Sequence, residues 1–251
     1  MKELSRRRFI RGGLATVAGL SGLGVAAGLA HKYGLVPPDS GGLYGPGETL
    51  TYAAQRLLAR HSLAREFSRD QISPRPFADP VGKLPDEFTR LQAGRFTDWR
   101  LSIDGLVERP GSFSIDQLKS YPSKTQITEV ACEEGWSYIA EWHGVPLPHV
   151  LDLVGTRPEA RYVVYYSIQP EWWSSIDIAE ATHPQTFLTY GMNGNDLPVP
   201  HGGPLRLRLP RQLGYKSVKF ITRITVTDDL KKFPKQGLAN PADGYAWYAG
   251  I

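Results

Sequence analysis

Cys132 is the only cysteine among 251 residues, so no internal disulfide can staple this chain. Its fold must rest on a packed core, on a bound group, or on both. The residue sits in the run VACEEGW, at the end of a strand-like segment. A thiol in an oxidising compartment reacts or pairs with other chains unless something holds it. A metal is one such holder. The alternative is a buried cysteine that packs as a small hydrophobe.

The compartment is suggested by the N-terminus. Ser5-Arg6-Arg7-Arg8-Phe9-Ile10-Arg11 is followed by a charge-free Gly/Ala/Leu/Val stretch that ends near Ala30. Paired arginines, a mildly apolar h-region and small residues before a cleavage point are the layout of a twin-arginine signal. Residues 12–30 approach the length of a membrane span, but glycines at 12, 13, 19, 22 and 24 weaken that reading. An uncleaved anchor stays open beside the signal. The twin-arginine route carries folded proteins, chiefly where a cofactor must be inserted before export. The expected location is the periplasm or cell exterior.

Charge excludes one class of partner. The leader holds five of the 29 Lys and Arg and one of the 25 Asp and Glu, leaving 24 of each sign beyond it. The basic balance belongs to the leader, and no nucleic-acid surface is indicated. Roughly 220 remaining residues suit one sizeable domain with an extended arm.

The expected organisation is a signal over 1–30, a linker and N-terminal arm over 31–95, and a main domain over 96–251. Residues 31–50 are dense in Gly and Pro and read as linker. Residues 51–67 read as a short surface helix with Ala54, Leu57 and Leu58 on one side. The Pro-broken stretch 70–95 is expected to wrap over the domain. Ser114 and Gln117 form a capping box. Residues 125–131 lead as a strand into Cys132, and Pro148 and Gly155 bracket a helix carrying Val150, Leu151 and Val154. Residues 161–168 read as a buried strand. Leu205-Arg206-Leu207-Arg208-Leu209 alternates with period two, leucines on one face and arginines on the other. Residues 217–227 alternate as well, with Lys219 and Arg223 opposite Val218, Phe220, Thr222, Ile224 and Val226. An α+β domain with a mixed or antiparallel sheet system follows.

Four segments carry a resemblance: IDGLVERPGSFSIDQL, VACEEGWSYIAEWHGVPLPHVL, HPQTFLTYGMNGNDLPVPHGGPLRLRLP and LGYKSVKFITRI. In content and spacing they are similar to the sulfite oxidase family of molybdenum-pterin enzymes, over roughly residues 97–228. The resemblance implies an α+β molybdopterin-binding domain with mixed sheets and a Mo-molybdopterin cofactor. It makes Cys132 the thiolate ligand of molybdenum, beside two dithiolene sulfurs of one pyranopterin, and a soft thiolate suits that metal. It further implies cofactor contacts from His201, five residues before Arg206, and from Arg206 itself, whose fork matches phosphate. Ser217, Val218 and Lys219 fall in the loop that holds the cofactor's phosphate. Ser167 falls where related periplasmic enzymes place a threonine on the pterin. Gly202 and Gly203 would permit close backbone approach. Residues 72–82 lack the Asn- or His-containing run that touches the pterin in relatives, leaving the arm's contribution open.

True sulfite oxidases follow the metal cysteine with a run containing arginine. Here Glu133 and Glu134 follow it, and a sulfite dianion should be repelled. Glu at Cys+2 and Trp at Cys+4, here Glu134 and Trp136, resemble the catalytic subunit of periplasmic methionine-sulfoxide reductases. Two-electron oxygen-atom transfer is implied, in the direction of sulfoxide reduction, with Glu134 as proton donor. Tyr190, in LTYGMNG, resembles a tyrosine on the substrate side of the sulfite enzymes. The rival readings are a dehydrogenase of sulfite or another small anion, and a metal-free binding module on the same fold. A Cys/His hydrolase lacks a nucleophile elbow or paired His motif. One cysteine excludes a CxxCH haem attachment, so electrons must come from a partner, either a membrane b-type cytochrome or a soluble periplasmic carrier.

Overall fold

Alternating burial shapes the strands of the computed structural model, which describes residues 30, 34–38, 45–170, 172–233 and 245–251. The leader expectation falls on residues 1–29, outside the described residues. One sheet has the order β2-β1-β10-β5-β6, formed by β1 (Arg100–Gly105), β2 (Gly111–Ser114), β5 (Tyr162–Ser167), β6 (Trp173–Asp177) and β10 (Ile221–Thr227). It is mixed, because β1 runs parallel to β10 while its other pairings are antiparallel. The second sheet is antiparallel, with the order β3-β4-β7-β8 and β9 added on β7. Its strands are β3 (Lys124–Ala131), β4 (Ser137–Pro146), β7 (Phe187–Met192), β8 (Asn195–Asp196) and β9 (Arg206–Arg208). This is the α+β architecture expected.

The main core lies between the sheets. Leu101, Ile103, Val145, Leu188, Leu205, Leu207, Ile221 and Ile224 meet there, with Leu147, Val150, Leu151 and Val154 of the helix Leu147–Val154. That helix buries positions i, i+3, i+4 and i+7, and Gly155 ends it at φ 68°, the left-handed conformation glycine adopts without strain. The expected capping box is present, with Ser114 Oγ accepting from Gln117 N at 3.1 Å.

Three local expectations are corrected. The N-terminal helix, α1, runs Gly45–Leu58, so it begins inside the expected linker and stops before residue 67. Its inner face is Glu48, Tyr52 and Arg56, while Leu57 is 66 % and Leu58 88 % exposed. The helix is bolted by charge: Arg56 Nε donates to Asp177 Oδ2 at 2.6 Å and Nη1 to Glu180 Oε2 at 3.2 Å, with Tyr52 and Tyr248 packed beside the guanidinium. The arm also contains a helix that its prolines conceal, α2 (Asp86–Ala93), which buries Phe88 against Trp99 and Phe220. Finally, the alternation over 217–227 breaks. Phe220 takes φ 58° and a bulge follows Ile221, so β10 starts at Ile221 and residues 217–219 form a loop.

Candidate active site

The hairpin joining β3 to β4 presents Cys132. Its amide donates to Trp136 O at 2.9 Å and Gly135 N donates back to Cys132 O at 3.1 Å, closing a tight turn. Gly135 allows that turn at φ 92°. The half-buried sulfur therefore faces a cavity of about 290 Å³, with Glu133 and Glu134 beside it on the exposed tip. Trp136 Nε1 donates to Glu134 Oε2 at 2.8 Å, and Cys132 Sγ–H donates to Glu133 Oε2 at 3.2 Å. Burial first, then the two carboxylates, push the Cys132 thiol up to about 12, against a lowering hydrogen bond from the Glu134 backbone. Without a metal the sulfur stays protonated; a bound metal takes the thiolate.

Another part of the cavity lining is cationic. His201, Arg206, Ser217, Val218 and Lys219 all line it. The arginine face of Leu205–Leu209 is not solvated: Arg206 is 4 % and Arg208 0 % exposed. Arg206 donates to Ser217 O and to His201 O, each at 3.0 Å, clamping the two loops together. Lys219 Nζ donates to Asp79 O and Pro200 O, each at 2.8 Å. Both cations thus spend hydrogen bonds on main-chain carbonyls, and among the described residues neither is in an ion pair. Burial and then the Arg206 charge push Lys219 down to about 8, and burial with Arg206 and Lys219 pushes His201 down to about 4. An imidazole beside two desolvated cations has the chemistry to receive a phosphate and hydrogen-bonding edges. Gly202 sits at φ 105°, and a Cβ there would lie 2.9 Å from the Lys219 side chain, so this approach requires glycine.

Arg208 turns away from the cavity. It stacks on Trp142 at 5.3 Å and donates to Glu129 O, holding β3 three residues before Cys132. Burial and Arg206 push it down to about 9.

Two expected residues are not brought to the cavity. Tyr190 lies in a separate shallow groove with Lys119, Thr125, Glu141 and His143, because β7 turns that side chain toward the His143 ring of β4. Ser167 stands one layer behind the wall, where its Oγ accepts from Gln169 N at 3.1 Å; Gln169 itself lines the cavity. The arm, left open by its sequence, supplies Phe77, Asp79, Pro80, Val81 and Gly82 to the wall. Gln169, Tyr215 and Tyr245 were also missed, while Trp172, legible as either core or pocket wall, lines the cavity. The cluster of Trp and Tyr near Gln169 and the Lys219 loop was their only sequence signal.

The family profile described as oxidoreductase molybdopterin binding domain matches residues 89–234. The chain is 36 % identical over 192 residues to a protein from Azospira oryzae named as the protein-methionine-sulfoxide reductase subunit YedZ1, covering 73 % of this chain and 70 % of that one. It is 35 % identical over 180 residues to the protein-methionine-sulfoxide reductase catalytic subunit MsrP of Xanthomonas axonopodis pv. citri, covering 66 % of this chain and 52 % of that relative. Among solved structures, the sulfane dehydrogenase SoxCD of Paracoccus pantotrophus shares the fold, with a TM-score of 0.52 at 23 % identity over 68 % of this chain and 46 % of that one. The chain belongs to the molybdopterin-binding oxidoreductases of the sulfite oxidase family; it is an oxidoreductase, and its cofactor is Mo-molybdopterin.

Proposed function

We propose that this member of the molybdopterin oxidoreductases reduces sulfoxides, with Cys132 as the metal ligand and the Arg206–Lys219 wall as the seat of the cofactor's phosphate. The observation that carries the direction is the division of charge in the cavity. Arg206 and Lys219 line it where a phosphate would neutralise them, with Asp79 of the arm near Lys219, and the carboxylates Glu133 and Glu134 directly follow Cys132. Neither Arg75 nor Arg161, the distant arginines that would attract an anion, lines the cavity. An anionic substrate such as sulfite meets two carboxylates there, whereas a neutral sulfoxide meets no charge penalty. The names of the reductase relatives support the same direction.

Held by Cys132 and the Arg206–Lys219 wall, the molybdenum cofactor would supply two-electron oxygen-atom-transfer chemistry. This chain's residues do the rest. Reduction of a sulfoxide to thioether and water consumes two electrons and two protons, and Glu134, with Oε2 held by the Trp136 indole, would relay protons from solvent through Oε1. Trp136, Trp172, Tyr215 and Tyr245 line the wall with aromatic surface for an apolar substrate. Ser217 and Val218 offer loop backbone to the cofactor, His201 a neutral imidazole, and Ser167 positions the Gln169 backbone. Tyr190 has no part in this scheme.

Electrons come from an external carrier, a membrane b-type cytochrome or a soluble periplasmic protein, and the enzyme works outside the cytoplasm after twin-arginine export. The test is turnover of the cofactor-loaded enzyme with a reduced artificial donor against sulfoxides, N-oxides and sulfite. Sulfoxide reduction with weak or no sulfite oxidation is expected. Efficient sulfite oxidation without sulfoxide reduction overturns the reading.

A further inference from the structure

Helix α1 is amphipathic in reverse. It contains only two charged residues, Glu48 and Arg56, and both face inward. Glu48 Oε1 accepts from Tyr248 N at 3.0 Å, and Arg56 holds Asp177 and Glu180. The outward face is left without charge. Leu50, Ala54, Leu57 and Leu58 fall within an arc of roughly 100° centred opposite Tyr52. Leu50, Leu57, Leu58 and the following Leu63 are 63–88 % exposed, whereas the other exposed large apolar residues among the described residues, Phe77, Trp172 and Ile251, are 45–58 % exposed. Beyond the helix come Arg60, His61 and Arg65, all exposed, with no acidic residue between Arg56 and Glu66.

We infer that this face is a membrane-surface site: α1 lies in the plane of the bilayer with its leucines among the acyl chains and Arg60, His61 and Arg65 against anionic headgroups. The chain upstream argues for lipid as the occupant. The charge-free apolar stretch 12–30 precedes α1 by residues 31–44 alone, which reach at most about 50 Å when fully extended. A leader engaged in the membrane therefore delivers α1 to the same surface. At 14 residues α1 is about 21 Å long, too short to span a hydrocarbon core of roughly 30 Å. An exposed leucine stripe flanked by cations suits in-plane binding instead. The ion pairs of Arg56 then pass that placement on to the domain, because they lock α1 to Asp177 at the end of β6 and to Glu180.

The test uses the full chain with an environment-sensitive fluorophore on Thr51→Cys, at the edge of the stripe, in a Cys132→Ser background that leaves one thiol to label. A second label on Asp116→Cys, exposed on the short helix Ile115–Ser120, is the control. With phosphatidylethanolamine/phosphatidylglycerol vesicles the Thr51 label is expected to shift to the blue and be quenched by brominated acyl chains, while the Asp116 label stays aqueous. Phosphatidylcholine vesicles should give a weaker shift. Leu57→Ser with Leu58→Ser should weaken the shift on the order of tenfold per leucine in lipid concentration, with circular dichroism unchanged. An aqueous Thr51 label on vesicle-bound chain overturns the inference. So does a lipid-free blue shift that grows with protein concentration, since a second copy would then cover the face.

Discussion

Replacing Lys219 by alanine should separate cofactor retention from fold stability. The side chain makes two charge-assisted hydrogen bonds, to Asp79 O and Pro200 O, and such bonds are worth about 1.5–3 kcal/mol each. Against that stands the cost of holding an ammonium in a buried place beside Arg206, which drives its pKa down to about 8. The two contributions are of similar size, so the cofactor-free protein should change stability by only about 1 kcal/mol. The loaded protein loses a cation from the phosphate seat, and retention should fall roughly ten- to a hundredfold. The pH dependence gives an independent sign. The folded pKa is lowered, so between about 8 and the ordinary lysine range the unfolded chain binds more protons. Stability of the cofactor-free protein therefore rises with pH through that window. A bound phosphate keeps Lys219 charged and should flatten the rise, and Lys219→Ala should abolish it. Urea unfolding of cofactor-free protein from pH 7 to 10, with molybdenum content measured after maturation, checks both. A loss of several kcal/mol with full cofactor content would refute the reasoning and make Lys219 a structural strap.

Arg56→Ala should cost about 3–5 kcal/mol, because it leaves Asp177 buried without its ion-pair partner and Glu180 with Arg211 alone; chemical denaturation showing under 1 kcal/mol would contradict the charged bolt of α1. Glu134→Gln keeps an acceptor for the Trp136 indole and removes the proton, so turnover should fall about tenfold or more at constant molybdenum content. Unchanged turnover would remove Glu134 from proton delivery. Tyr190→Phe should leave turnover within about twofold, since the residue faces a different groove. A tenfold loss would return it to the catalytic set.

The sequence was most informative where local pattern and packing agree. The helix Leu147–Val154, the Ser114 capping box and the strand leading into Cys132 were all legible, because their caps and periodicity are written in neighbouring residues. Arg206 and Lys219 were singled out only through motif spacing; alternation alone says which face they share and not that the face is buried. Burial of those cations is a tertiary fact, set by the loops that Arg206 clamps. The inverted face of α1 was unreadable for the same reason, since Asp177 and Glu180 lie more than a hundred residues away. The arm's contribution to the cavity was hidden by a Pro-rich stretch with no period, and Tyr190 was misplaced because a tyrosine on a strand does not declare which sheet face it serves.

X-ray absorption at the molybdenum edge tests the central claim most directly, comparing the cofactor-loaded protein with its Cys132→Ser variant. The account predicts one sulfur ligand fewer in the variant, together with loss of the sulfur-to-metal charge-transfer absorption. An identical sulfur shell and visible spectrum in the two proteins would contradict the assignment of Cys132 as the metal's thiolate.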